Sequence, residues 1–597
     1  MAYQTFDPPT VETADIAARI ARLRAQFGGL KIDGLVIPHE DAYQSEYLPP
    51  SEERLAYATG FTGSAGRAIV LEDRALFITD GRYTLQSERQ VPGDIFHRVS
   101  QPDEAAAWMK ANLKGLTLGV DPRLHSRADL DRLKGRAENL SLAYLDANPV
   151  DLVWNDRPAP PRGRVVAHPL AVAGRSAADK LADVRAAMTT DALLVASSDA
   201  VSWIFNWRGA DVVHTPLVLS RVFIPREGLA TIFVDPGKVG DDLVAALDGL
   251  AVLSPADTFL AALAELSQGK RVAADPDRTP EAALAAIEKR GTLVTVTDPT
   301  LKLKAVKNAA EIAGMRAAHH RDGLAMVRFL AWLDRNAVGL TEIDIVERLE
   351  AYRRDVGAVD VSFDTICGSG PHGAIVHYRV DRSTDRTVGA DEPILIDSGA
   401  QYPDGTTDIT RTIVAGTPSA DFRVQFTRVL KGHIAIAMQR FPEGTMGSEL
   451  DPLARAALWR AGYDFQHGTG HGVGAYLAVH EGPQAISKRS REPLLPGMIV
   501  SNEPGVYRTG AYGIRIEALC LVREARVPPG GEQAMLSFET LTLAPIDTRL
   551  VEPLLLSAVE IGWLDAYHAR VHGALAGDLD ADERAWLEER TRPIASL

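Results

Sequence analysis

The spacing of apolar positions divides the chain into stretches of two periods. From Asp15 to Phe27, D-I-A-A-R-I-A-R-L-R-A-Q-F repeats apolar residues at helical spacing with arginines opposite, which predicts an amphipathic helix. Gly34-Leu35-Val36-Ile37-Pro38 reads as a short buried strand, and Ala68–Glu72 and Ala75–Thr79 as two more, joined by a turn at Asp73 and Arg74. Strands alternating with helices predict a small α/β domain ending near Leu152. The proline-rich run from Trp154 to Gly163 marks a boundary. The first dozen residues lack either period and read as a loose lead-in.

The next block reads as a diverged copy of the first. D-G-L-V-I-P-H-E-D-A from Asp33 aligns with D-A-L-L-V-A-S-S-D-A from Asp191, and the run ending at Asp80 aligns with one ending at Asp235. Order and approximate spacing are kept, as in an internal duplication, although two βα-rich segments can also coincide by chance. This block runs to about Leu303. A helix follows from Asn308 to Asn336, with Ile312, Met315, Met326, Phe329, Leu330 and Leu333 as its apolar positions. A second helix spans Thr341 to Asp355, with Thr341 as N-cap and Glu342 and Asp344 in the first turn. The chain ends in helical patterns from about Pro553 to Glu589, which either pack on the preceding domain or form a subunit contact. The expected architecture is mixed α/β and α+β: two tandem small α/β domains, 1–160 and 161–305, and a third domain, 306–597.

Bulk properties narrow the function classes. At 597 residues the chain exceeds a single core. Its 64 basic against 79 acidic side chains, net −15, argue against a nucleic-acid partner. No run reaches the ~18 apolar residues that a membrane span needs, and the N-terminus lacks the basic and apolar regions of a secretory signal. Two cysteines, Cys367 and Cys520, make no disulfide framework, so a reducing cytoplasm is the expected compartment.

The chemistry gathers between Ile394 and Glu517. Asp397, Asp408, His471, Glu503 and Glu517 sit in or beside short apolar, glycine-bounded runs, where carboxylates are costly without positive compensation. Asp397 and Asp408 flank the turn Tyr402-Pro403-Asp404-Gly405, so their strands should form a hairpin, with Asp408, Thr410 and Thr412 on one face. Adjacent carboxylates repel, and one takes up a proton unless a cation bridges them. His467-Gly-Thr-Gly-His471-Gly-Val-Gly is too glycine-rich for a helix and projects both imidazoles from a loop. A lone histidine is more often a satisfied core or surface residue; two between carboxylate strands point to function. Arg515 shares a strand face with Glu517, either as a simple salt bridge or to orient a ligand from behind. His377 and His480 are further candidates. Four carboxylates and an imidazole suit two divalent cations, which predicts a dinuclear metallohydrolase.

These motifs resemble the metallopeptidase family that contains methionine aminopeptidase, prolidase and aminopeptidase P, whose catalytic domain has a "pita-bread" fold. D-S-G-A-Q-Y-x-D-G-T-T-D-x-T-R-T, H-G-T-G-H-G-V-G, V-H-E-G-P, N-E-P-G and G-I-R-I-E are most similar to the long, three-domain cytosolic Xaa-Pro aminopeptidases. The resemblance extends to G-F-T-G-S-A-G (Gly60 to Gly66), T-D-G-R-Y (Thr79 to Tyr83), N-W-R-G-A-D (Asn206 to Asp211) and the W-L-D-A-Y-H tail.

The resemblance implies that Asp397 chelates one metal, that His471 and Glu503 bind the other, and that Asp408 and Glu517 bridge them. His377, His467 and His480 match substrate-side histidines, and Arg515 is grouped with them. Mn²⁺ is the implied ion, with Co²⁺ or Zn²⁺ also compatible. The implied reaction releases the N-terminal residue from peptides with proline second, by attack of a metal-activated water. Glu503 is then the base, and His377 or His480 stabilises the oxyanion. A homodimer through the catalytic domain and a cytoplasmic enzyme are also implied. Prolidase is the nearest rival; a non-catalytic peptide- or protein-binding module of the same fold is the other.

Overall fold

The computed structural model describes residues 3–7 and 12–594. These form two compact units, one of residues 12–170 and 175–303, the other of residues 3–7, 171–174 and 304–594.

The first unit contains two six-stranded sheets. In chain order the first comprises β1 Gly34–Pro38, β2 Arg67–Leu71, β3 Ala75–Ile78, β4 His97–Val99, β5 Thr117–Val120 and β6 Ser141–Tyr144, arranged β4-β3-β2-β1-β5-β6. The second comprises β7 Ala192–Val195, β8 Arg221–Pro225, β9 Ala230–Phe233, β10 Ala251–Ser254, β11 Arg271–Ala274 and β12 Thr292–Thr295, arranged β10-β9-β8-β7-β11-β12. In each, the first three strands in chain order pair antiparallel and the remaining pairs are parallel.

The central strands are apolar on both faces because both are covered. Val36, Ile69 and Leu76 enter one core, whereas Leu35, Ile37, Val70 and Phe77 enter the other. At the head of each first strand an aspartate repeats one local bond: Asp33 accepts from Thr117 N at 2.7 Å, and Asp191 from Arg271 N at 2.8 Å. These are the two residues that open the aligned segments. The expected helix at Asp15 runs from Thr13 to Arg24, and Phe27 begins a separate short turn, Phe27–Leu30.

In the second unit, the helix Ala309–Asn336 starts at a capping box between Asn308 and Glu311, and the helix Glu342–Asp355 at one between Thr341 and Asp344. Two sheets follow. The smaller pairs Ile366–Ser369, Glu392–Ser398 and Ile409–Ala415 antiparallel, in that order. The larger runs Arg440–Phe441, Met535–Thr540, Ala518–Arg526, Ile499–Asn502, Gly470–Gly472, Glu481–Ile486.

The helical tail, Ala558–Leu575 and Ala581–Arg590, packs on this unit. Tyr567 accepts a bond from Arg411 Nη2 at 3.1 Å, His568 Nε2 accepts from Ile546 N, and Trp586 donates to Asp334. Residues 3–7 correct the expected loose lead-in. Gln4 is buried, donates to Glu350 and exchanges bonds with Thr365, and the Tyr3 hydroxyl donates to Ala358 O at 2.6 Å. One matched amide anchors five residues without leaving any periodicity. The rest of that lead-in, residues 1–2 and 8–11, lies outside the described residues.

Candidate metal centre

The aspartates sit at the closed end of a hairpin. Glu392–Ser398 pairs with Ile409–Ala415 so that Asp397 faces Thr410 and Ser398 faces Ile409, which puts Asp408 one residue before the second strand. The expected turn is present, closed by Tyr402 opposite Gly405. His471 lies in the short strand Gly470–Gly472 and packs directly on the next strand: a Cβ at Gly470 would lie 1.9 Å from Ser501 O. That approach explains the glycines of the loop. Glu503 follows the strand Ile499–Asn502, and Glu517 occupies the break between Tyr512–Arg515 and Ala518–Arg526.

These elements converge. One ligand atom from each of Asp408, His471 and Glu517 lies within 4.8 Å of the other two. His471 Nε2 is 3.4 Å from Asp408 Oδ2 and 3.6 Å from Glu503 Oε1. Its Nδ1 lies 2.9 Å from Gly472 O, a carbonyl that can only accept, so Nδ1 carries the proton and Nε2 faces the carboxylates. Ser501 joins the set by accepting from His471 N and donating to Glu503 Oε1 at 3.1 Å. Thr410 donates to Glu517 Oε2 at 2.7 Å.

The charges are unbalanced in the direction a cation would correct. Burial, followed by the neighbouring carboxylates Asp408, Asp397 and Glu503, holds Glu517 well above the usual carboxylate range. Burial also pushes Glu503 up to about 7, against the opposing pull of His471 and Arg515. Asp397 is raised as well, by burial and by Asp408. Burial opposes protonation of His471, but the bond to Asp408 and the charges of Glu503 and Asp408 push its pKa up to about 9. Asp397 Oδ1 and Asp408 Oδ1 are buried without hydrogen-bond partners. Orphaned carboxylate oxygens, mutual repulsion and one correctly presented imidazole nitrogen fit divalent cations.

Arg515 pairs with one of the candidate ligands. Only 1% of its side chain is exposed, and its pairing is with Asp397 Oδ2 at 2.5 Å rather than with Glu517. The remaining donors reach Thr410 Oγ1, Tyr507 OH and Val376 O. Alternation along one strand suggested Glu517 as partner; the bond forms across strands instead, because the smaller sheet brings Asp397 alongside. Arg515→Lys removes the planar fork while keeping the charge. It should lower activity or metal affinity by roughly 10–100-fold, read from kcat and bound metal together.

His467 and His480 lie around the same centre. His467 Nε2 is 2.8 Å from Tyr507 OH, and its Nδ1 is 3.8 Å from Glu503 Oε2. The His480 ring stands edge-on to His471 with centroids 4.3 Å apart. His377 follows Val376, whose carbonyl takes the Arg515 bond. Tyr507, Ser501 and Thr410 were not singled out from sequence as site residues. The signals were present: Ser501 and Thr410 each stand two residues from a carboxylate, on the same strand face as Glu503 and Asp408 respectively.

Comparison with known proteins is consistent with this geometry. Metallopeptidase family M24 matches residues 313–524, and the C-terminal region of peptidase M24 matches 534–594. Two creatinase/prolidase N-terminal domains match 19–152 and 156–311. Over 614 residues the chain is 38% identical to a probable Xaa-Pro aminopeptidase P of Aspergillus fumigatus, covering 98% of this chain and 94% of the relative. It is 40% identical to aminopeptidase P2 of Arabidopsis thaliana over 97% of this chain and 88% of that one. Among solved structures it is similar to an X-prolyl aminopeptidase of Caenorhabditis elegans, described as a cytosolic enzyme with a di-nuclear active site. The TM-score is 0.91 at 34% identity, covering 97% and 100% of the two chains. A Thermococcus sibiricus prolidase gives a TM-score of 0.51 at 25% identity, covering 62% of this chain and 98% of its own.

Proposed function

The chain belongs to metallopeptidase family M24, and from that membership we propose that it is a metal-dependent aminopeptidase acting on Xaa-Pro-Yaa peptides. The observation that carries the reading is the convergence of Asp408, His471 and Glu517 inside a chain alike, end to end, to Xaa-Pro aminopeptidases. Asp397, Asp408, His471, Glu503 and Glu517 hold two divalent ions, with Mn²⁺ the expected activator. When bound, the ions supply Lewis-acid activation of water and of the scissile carbonyl.

Glu503, ionised once the surrounding charge is balanced, accepts the proton that water gives up. The bond cut is a tertiary amide, so the proline nitrogen leaves as a basic amine and must be protonated; Glu503 returns the proton directly or through a histidine. His377 or His480 donates to the developing oxyanion. His467 lines the substrate side, and Arg515 acts through Asp397, which it holds. The substrate's free amino terminus binds beside the acidic cluster, which makes the enzyme an exopeptidase.

The three-domain division at 160 and 305 belongs to this reading. The matching strand order of the two sheets supports a duplication, and two tandem N-terminal domain matches favour aminopeptidase P over prolidase. Among the described residues no helix is long and apolar enough to cross a membrane. A cytoplasmic homodimer, joined through the catalytic domain and acting on peptides rather than nucleic acid or membrane, completes the proposal.

Two results test it. Xaa-Pro-Yaa should be hydrolysed at a higher kcat/KM than the Xaa-Pro dipeptide; cleavage of the dipeptide alone would make this a prolidase. His377→Ala should keep both metals and lose on the order of 10²–10³-fold in kcat, the cost of one oxyanion donor.

A further inference from the structure

The segment that carries His377 is held by a carboxylate that the mechanism does not use. Glu342, the first residue of the helix Glu342–Asp355, is fully buried. Its carboxylate accepts from Ser369 N at 2.7 Å and Ser369 Oγ at 3.1 Å, at the start of the segment. It also contacts His372 Nδ1 at 3.0 Å and accepts from the Tyr378 hydroxyl at 2.9 Å, at the far end. The rings of His372 and Tyr378 lie 4.4 Å apart, so the two ends of the segment meet over this one side chain. His377 directly precedes Tyr378.

The same segment is also held by the strand that carries Arg515. A Cβ at Gly513 would lie 1.7 Å from Gly373 O, and Arg515 Nη2 donates to Val376 O at 3.3 Å. A buried carboxylate is costly unless fully bonded, and these bonds all go to residues 369–378. A helix N-terminus tolerates the charge, but a simple cap would bond its own first turn. We propose that Glu342 is a positioning residue that sets His377 against the metal centre. The proposal rests on the reading of His377 as an oxyanion donor.

The consequence is specific. Loss of positioning should act in the transition state, lowering kcat with little change in KM. Glu342→Gln keeps the volume but turns an acceptor into a donor facing donors. It should lower kcat by roughly tenfold or more, since misplacement of a reacting group by about 1 Å costs up to about 10²-fold.

The experiment is a double-mutant cycle on Xaa-Pro-Yaa with metal content measured throughout: parent, Glu342→Gln, His377→Ala and the double variant. The double variant should be no slower than His377→Ala. If the two losses multiply, or if Glu342→Gln lowers only thermal stability, Glu342 does not act through His377 and the proposal is overturned. If His377→Ala itself keeps parental kcat, the oxyanion assignment falls and takes this proposal with it. Should Glu342→Gln fail to fold, Tyr378→Phe, which deletes one hydroxyl at the His377 end, is carried through the same cycle with the same criteria.

Discussion

Stripping the divalent ions with a chelator should abolish hydrolysis of Xaa-Pro-Yaa while leaving most of the fold intact. Every candidate ligand lies in the unit of residues 304–594, and among the described residues the other unit has no comparable cluster. Removing the ions leaves Asp397, Asp408, Glu503 and Glu517 to repel one another, with Arg515 paired to Asp397. The thermal transition of the catalytic unit should therefore fall on chelation and recover on adding Mn²⁺. Each ion at a hundredfold excess over its Kd contributes about 2.7 kcal/mol. Asp408→Asn should lose metal outright, because its uncharged amide replaces a candidate ligand in direct reach of His471. Chelated protein that turned over substrate at the untreated rate would end the metal assignment.

The second large effect is expected from Glu503→Gln. The amide keeps the size of the side chain and one oxygen for metal, but cannot take a proton near neutral pH. General-base catalysis contributes roughly 10²–10⁴-fold, so kcat should fall by that order at saturating Mn²⁺ with both ions still bound. Ser501 and His471 remain to hold the residue in place, since Ser501 bonds both. A variant with two metals and activity within a few-fold of the parent would make Glu503 a ligand only.

The centre was legible in the sequence because its chemistry is conspicuous: carboxylates in apolar strands, a glycine loop with two histidines, and a turn between two aspartates. Alternation correctly put Asp408 and Thr410 on one face, and Thr410 does reach Glu517. What periodicity could not supply was pairing across the sheet. Arg515 looked like a neighbour of Glu517 and turned out to hold Asp397. The same limit hid Gln4, whose partners Glu350 and Thr365 are far away in sequence, and Glu342, which read only as charge in a first helical turn. Long-range bonds of single polar side chains leave no local pattern. The tandem sheets show the reverse case, since two short apolar strands preceded by Asp33 and Asp191 were enough to align segments that adopt the same strand order.

Metal-dependent cleavage before proline is directly measurable. Its most direct test is kcat/KM for a matched pair, Xaa-Pro-Yaa and Xaa-Ala-Yaa, on protein stripped of metal and then reconstituted with Mn²⁺. Neither peptide should be turned over without metal, and after reconstitution the proline peptide should be strongly preferred, because the pocket must hold its pyrrolidine ring. An alanine peptide cleaved as well as or better than the proline peptide, or proline-peptide hydrolysis that ignores the metal, would contradict it.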